Sequence, residues 1–267
     1  MRIAPTYGIM LRQAYLIRGS FARFLPLFIW VALDMILWGF LSKFLNSVTD
    51  QKMNFVPLFL GAILLWDFLV RVMQGITISF FEDVWSKNLL NIFATPLRTS
   101  EYLGGLVITS ILTSSVGLTV MLLLSTTIFG LSFASYGLYL IPFIFILFLF
   151  GIGLGILCTA MVLRLGPASE WFVWPIPALV SPFTGVFYPI STLPEWMRMI
   201  SYALPPSYVF ESMRKILNGG EFPTHELIIG FGLGIFYIML ASWIFKRTFL
   251  YAIKTGLIAR YSAESVS

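Results

Sequence analysis

The sequence has one histidine, one cysteine and little charge: Asp, Glu, Lys and Arg together make up 11% of its 267 residues. Each shortage excludes something. A lone cysteine, Cys158, leaves no disulfide framework and no thiolate metal site. A lone histidine, His225, sits in a polar connecting stretch, so no metal centre is expected. No G-x-x-x-x-G-K-[ST] occurs and none of the lysines follows a glycine, so the cradle and lysine of a phosphate-binding loop are missing. The clustered Asp, Glu, His or Cys of a membrane enzyme's pocket are missing too, and neither a catalytic residue nor a cofactor is expected on this chain. Nucleic acid is not an expected partner, because the net charge of +5 is not gathered on a soluble basic face.

What is present is apolar. Hydrophobic residues make up 58% of the chain, and the mean hydropathy is +0.90. Six runs are long enough to be read as crossings of a hydrocarbon core about 30 Å thick: Phe24 to Leu45, Phe55 to Phe80, Leu103 to Phe129, Tyr136 to Leu163, Phe172 to Tyr188 and Leu227 to Phe245. They are continuous rather than alternating, which favours helices over barrel strands. The reading is an all-α membrane protein, residues 1–267 forming one transmembrane domain. The first run has a basic flank like a signal peptide, but it is too long for one. Lys43, Phe44 and Leu45 also stand where a cleavage site needs small residues. Arg2, Arg12, Arg18 and Arg23 precede the first run, and Lys246, Arg247, Lys254 and Arg260 follow the last. Both termini are therefore expected in the cytoplasm.

Three segments depart from simple spans. Residues 1–23 place Ile3, Tyr7, Met10, Ala14 and Ile17 at helical spacing, with Arg2, Arg12, Gln13 and Arg18 on other faces; this predicts an amphipathic interfacial helix that anchors at the lipid surface. The stretch 82–98 predicts a second short helix, with Trp85, Leu89, Ile92 and Phe93 on one face and Glu82, Asp83 and Lys87 flanking it; Pro96 ends it and Arg98 follows. Eight of the fourteen prolines fall between Pro167 and Pro206. A spanning helix cannot absorb so many missing donors, so a broken or re-entrant element is expected. It is placed on the outer side at 190–217, a helical hairpin over Leu193 to Arg214 containing Pro194. Trp196, Ile200 and Leu204 are expected to face apolar surroundings, with the turn at Pro205 and Pro206.

Read in order, these segments carry a resemblance. The loop E82-D-V-W-S-K-N-L-L-N-I-F-A-T-P-L-R98, the block G185-V-F-Y-P-I-S-T-L-P-E-W-M and its continuation L204-P-P-S-Y-V-F-E-S-M-R214 resemble the membrane subunit of ABC type-2 exporters, across essentially the whole chain. The resemblance implies a permease that dimerises in a bacterial inner membrane beside a separately encoded ATPase, which would use ATP and Mg. It also implies that Glu82, Trp85, Leu89, Ile92, Phe93, Pro96 and Arg98 belong to a coupling helix in a cleft of that ATPase. The external hairpin would cap the exit. The implied cargo is amphipathic and drug-like, with a lipid-linked polysaccharide as the alternative.

Charges inside the spans are the remaining candidates for function. Asp34 lies in the first run, and Asp67 and Arg71 lie four apart on one face of the second. Each would cost about 2.5 to 3.5 kcal/mol if buried alone, which favours a compensated pair. A structural clamp is one reading of it; a polar lining of the path, with Phe183, Phe187, Tyr188, Trp30, Trp38 and Trp66, is the other. An ion-coupled carrier using Asp67 and Arg71 is the alternative from a different class. Gly151, Gly153 and Gly155, with Gly230, Gly232 and Gly234, are expected to let helices approach within the subunit.

Overall fold

The computed structural model describes residues 2–21, 25–48, 59–131, 138, 140–166 and 169–258, and among them there is helix and no strand. In chain order the helices are α1 (Ile3–Arg18), α2 (Pro26–Val48), α3 (Gly61–Trp85), α4 (Leu89–Phe93), α5 (Thr99–Phe129), α6 (Leu140–Leu165), α7 (Glu170–Val173), α8 (Ile176–Val180), α9 (Glu195–Tyr202), α10 (Pro205–Leu217) and α11 (Thr224–Lys254). Four of them, α3, α5, α6 and α11, are long and apolar enough to cross a membrane. The first predicted span overlaps α2, a helix of 23 residues that is not among those four; its expected start at Phe24 lies outside the described residues. So do the expected starts of the second and fourth runs, at Phe55 and Tyr136.

The fifth predicted run is not one helix. Residues Phe172 to Tyr188 are divided among α7, α8, a 3-10 turn at Ser181–Phe183 and irregular backbone. Pro175, Pro177 and Pro182 each remove a donor, so the helical ladder restarts instead of propagating. The backbone this frees is partly satisfied by side chains, as lipid-embedded structure demands. Tyr188 donates its hydroxyl to the carbonyl of Pro182 at 2.8 Å, and Ser207 donates to the carbonyl of Phe183 at 3.2 Å.

At the centre stands α3, packed on one side by α5 and on the other by α6, which in turn lies along α11. The α3–α6 approach is set by two glycines one turn apart. A Cβ at Gly151 would lie 2.9 Å from the carbonyl oxygen of Leu69, and one at Gly155 would lie 3.1 Å from that of Met73. Only backbone fits there. Gly153 points the other way, toward Tyr237 of α11, and Gly230 and Gly234 return the contact to Ile146 and Leu149; Gly232 meets nothing within 4 Å. Close packing within the subunit is thus the role of five of the six. By contrast α2 leans on α5 and touches α3 only sparingly. That stand-off leaves a gap.

The hairpin end is held by a small clasp. Glu211 of α10 accepts the Ile190 amide at 2.8 Å and an Arg214 Nη2 donor at 2.9 Å, while the same guanidinium donates to the carbonyl of Gly185. The turn of the hairpin falls at Ala203 and Leu204; Pro205 and Pro206 instead open α10. Proline suits the first turn of a helix, where its missing donor has no partner to lose. Trp196 and Ile200 are exposed on α9, whereas Leu204 packs against the core. Gly185 has φ +69, and a Cβ there would meet Ile190 at 2.9 Å and the Arg214 guanidinium at 3.0 Å. Gly185→Ala is therefore expected to cost about 1 to 3 kcal/mol, read as a lower melting temperature in detergent. An unchanged melting curve would show that the clasp carries no stability.

Candidate functional site

Along α3, the residues Asp67, Arg71, Gln74, Ile78 and Glu82 recur at spacings of three and four, which puts them on one helix face. That face looks into the gap left by α2. The result is a cavity of about 530 Å³ whose walls are α3, Trp30 and Asp34 of α2, Thr109, Thr113 and Ser114 of α5, Gln13 and Ile17 of α1, and Trp174. From Asp67 to Glu82 the stripe runs about 22 Å along the helix axis at 1.5 Å per residue. It covers most of the thickness of a hydrocarbon core of about 30 Å.

The structure brings together three of the proposed path residues and leaves out the others. Arg71, Asp67 on its own helix and Asp34 on α2 all line this cavity, so the expected pair shares its space with a second carboxylate. The Arg71 side chain crosses toward α5, where a Cβ on Gly117 would stand 3.4 Å from its Cδ. Deep in the cavity, Asp67 Oδ2 is shut off from solvent without a hydrogen-bond partner among the described residues. Of the expected aromatic lining only Trp30 is in the wall. Trp38 stacks on Phe187 with ring centroids 5.8 Å apart, Trp66 meets Phe210 at 6.4 Å, Phe183 meets Trp196 at 6.3 Å, and Tyr188 is tied to Pro182.

The loop after α3 also differs from its reading. The helix is short, α4 having five residues, and Leu89 and Ile92 are buried. Phe93 packs with ring centroids 5.1 Å from Tyr102 and 4.6 Å from Phe249 of α11. The apolar face thus points into the bundle. What the loop presents outward is Trp85, Ser86, Lys87, Leu90, Asn91, Ala94, Thr95, Pro96 and Arg98, with Glu82 half-buried in the cavity wall.

Two ion-pair clusters, unforeseen from the sequence, fasten this loop to α1. Asp83, wholly buried, accepts both terminal nitrogens of Arg12 and the Tyr102 hydroxyl at 2.6 Å. Glu101, equally buried, accepts the Arg2 amide at 3.1 Å, Arg2 Nε at 2.9 Å and the Arg98 amide at 3.0 Å. Arg2 also donates to the carbonyl of Pro96, and Glu101 beside it raises its guanidinium above the ordinary value. The two arginines therefore brace the loop at both ends. The buried side of α1 is Thr6, Ile9 and Gln13, packed on α5. Ile3, Tyr7 and Ala14 of the predicted apolar stripe are exposed, and Met10 and Ile17 are half-buried. Acids at span ends together with a basic amphipathic start were the available signal.

Among the described residues no three His, Cys, Asp or Glu gather as a metal site. The family model described as ABC-2 type transporter matches residues 8–218. No curated protein matches the chain.

Proposed function

The chain belongs to the ABC-2 type transporter family, and on that premise we propose that it is the permease of an ATP-driven exporter that moves an amphipathic molecule outward along the α3 cavity. Members of the family are permease components of ABC transporters, embedded in a membrane, not themselves catalytic, and normally paired with an ATP-binding cassette subunit. The observation that carries the export reading is that the polar stripe ends at Glu82, just inside the loop that would meet the ATPase. Two copies would share the path, both termini would lie in the cytoplasm of a bacterial inner membrane, and the hairpin at α9 and α10 would stand at the outer side. A lipid-linked polysaccharide remains the alternative cargo.

The outward face of the loop, Trp85, Lys87, Leu90 and Asn91, is the proposed ATPase contact. Replacing Trp85 and Leu90 with Asp is expected to lower permease-stimulated ATP hydrolysis about tenfold or more in proteoliposomes, with folded yield intact. Leu89→Asp, by contrast, puts a carboxylate into the core and should lose folded protein. Full stimulation by the Trp85 and Leu90 variant would place the contact elsewhere. Cargo uptake driven by a proton gradient with no ATPase present would favour the carrier that uses Asp67 and Arg71.

A further inference from the structure

Resting on the permease reading, we infer that the cavity binds an organic monocation with an aromatic or apolar body, its charge taken by Asp34 and Asp67. The first reason is stoichiometry. Asp34 of α2 and Asp67 of α3 line one cavity, and Arg71 is the one basic side chain among the described residues of its wall. One guanidinium cannot neutralise both, so in a low-dielectric site the second carboxylate must take a proton or meet another cation. An entering cation replaces that proton without leaving a net charge behind.

The second reason is that the wall holds a carboxylate oxygen whose need the protein does not meet. Asp67 lines the cavity, and its Oδ2 has no hydrogen-bond partner among the described residues. A buried acceptor left so in a native bundle calls for a partner, and a cation supplies one. The third reason is the remaining surface. Trp30 and Trp174 stand in the same wall as the carboxylates, and indole faces attract a cation that has shed its water. At about 530 Å³ the space suits a molecule of drug-like size rather than a bare ion.

The test compares two ions of one shape and opposite charge on the permease alone, in nanodiscs without an ATPase: tetraphenylphosphonium and tetraphenylborate, each referenced to protein-free nanodiscs of the same lipid. Tryptophan fluorescence and equilibrium dialysis read the binding. The phosphonium is expected to bind at least about tenfold more tightly than the borate, and Asp34→Asn or Asp67→Asn to weaken it about tenfold. Trp30→Ala should weaken it about two- to fivefold. Equal binding of the two ions, tighter binding of the borate, or phosphonium binding indifferent to both Asn variants would overturn the site. So would no binding of either ion, since a proton alone then fills the role. Should an Asn variant fail to fold, the two ions on the unmodified chain decide. Phosphonium binding without ATP-driven export would count against the exporter reading and leave the site standing; ATP coupling without phosphonium binding would do the reverse.

Discussion

Arg71→Gln is expected to be the most damaging conservative change in the chain, costing about 3 to 5 kcal/mol, while Asp67→Asn or Asp34→Asn alone costs far less. The asymmetry follows from counting charges in the cavity wall, which Arg71 shares with both carboxylates. Removing one aspartate leaves a balanced pair. Removing the arginine leaves both acidic groups with no cation in the wall, and an uncompensated charge inside a bilayer costs about 2.5 to 3.5 kcal/mol. The measurement is folded yield and thermal midpoint in detergent for the three single variants and for Asp34→Asn, Asp67→Asn and Arg71→Gln combined. The triple variant is expected to recover most of the yield lost in Arg71→Gln. Equal losses for Arg71→Gln and Asp67→Asn would reduce the cluster to a simple pair.

The second large effect is expected at Arg12. Asp83 is fully buried and holds Arg12 and Tyr102 together; Arg12→Ala strands that carboxylate, and the cost is again about 3 to 5 kcal/mol. Asp83→Asn should cost less, because a neutral amide can still accept from the Tyr102 hydroxyl. Combining Arg12→Met with Asp83→Leu should restore much of the stability, since apolar groups of similar volume replace the pair. A thermal shift series on these variants checks it. If Arg12→Ala melts like the parent, α1 rests on the membrane and not on Asp83.

Periodicity and composition made much of the helical content legible. The stripe from Asp67 to Arg71 could be read as one face, because spacing within a helix is local. That Asp34 completes the set could not, because it depends on how α2 meets α5. The loop shows the same limit: the periodicity of Leu89, Ile92 and Phe93 marks an apolar face, but only Tyr102 and Phe249 settle that it turns inward. In α1 the obvious stripe of Ile3 and Tyr7 is the outward one, and a polar residue, Gln13, takes the buried side. The prolines between Pro167 and Pro206 mark a broken segment, yet their hydrophobic setting around Phe172 imitates a span.

Mechanically, α3 is a strut. It is one unbroken helix of 25 residues, about 37 Å long. Its first turns bear on the hairpin through Trp66 and Phe210, and its last turn is anchored by Asp83 to α1. Because Gly151 and Gly155 seat it against the backbone of α6, and packed interiors yield little to compression, it does not bend to absorb a push. On the proposed reading, a force applied at Trp85 would arrive at Phe210 as a tilt, so the loop and the hairpin would move together.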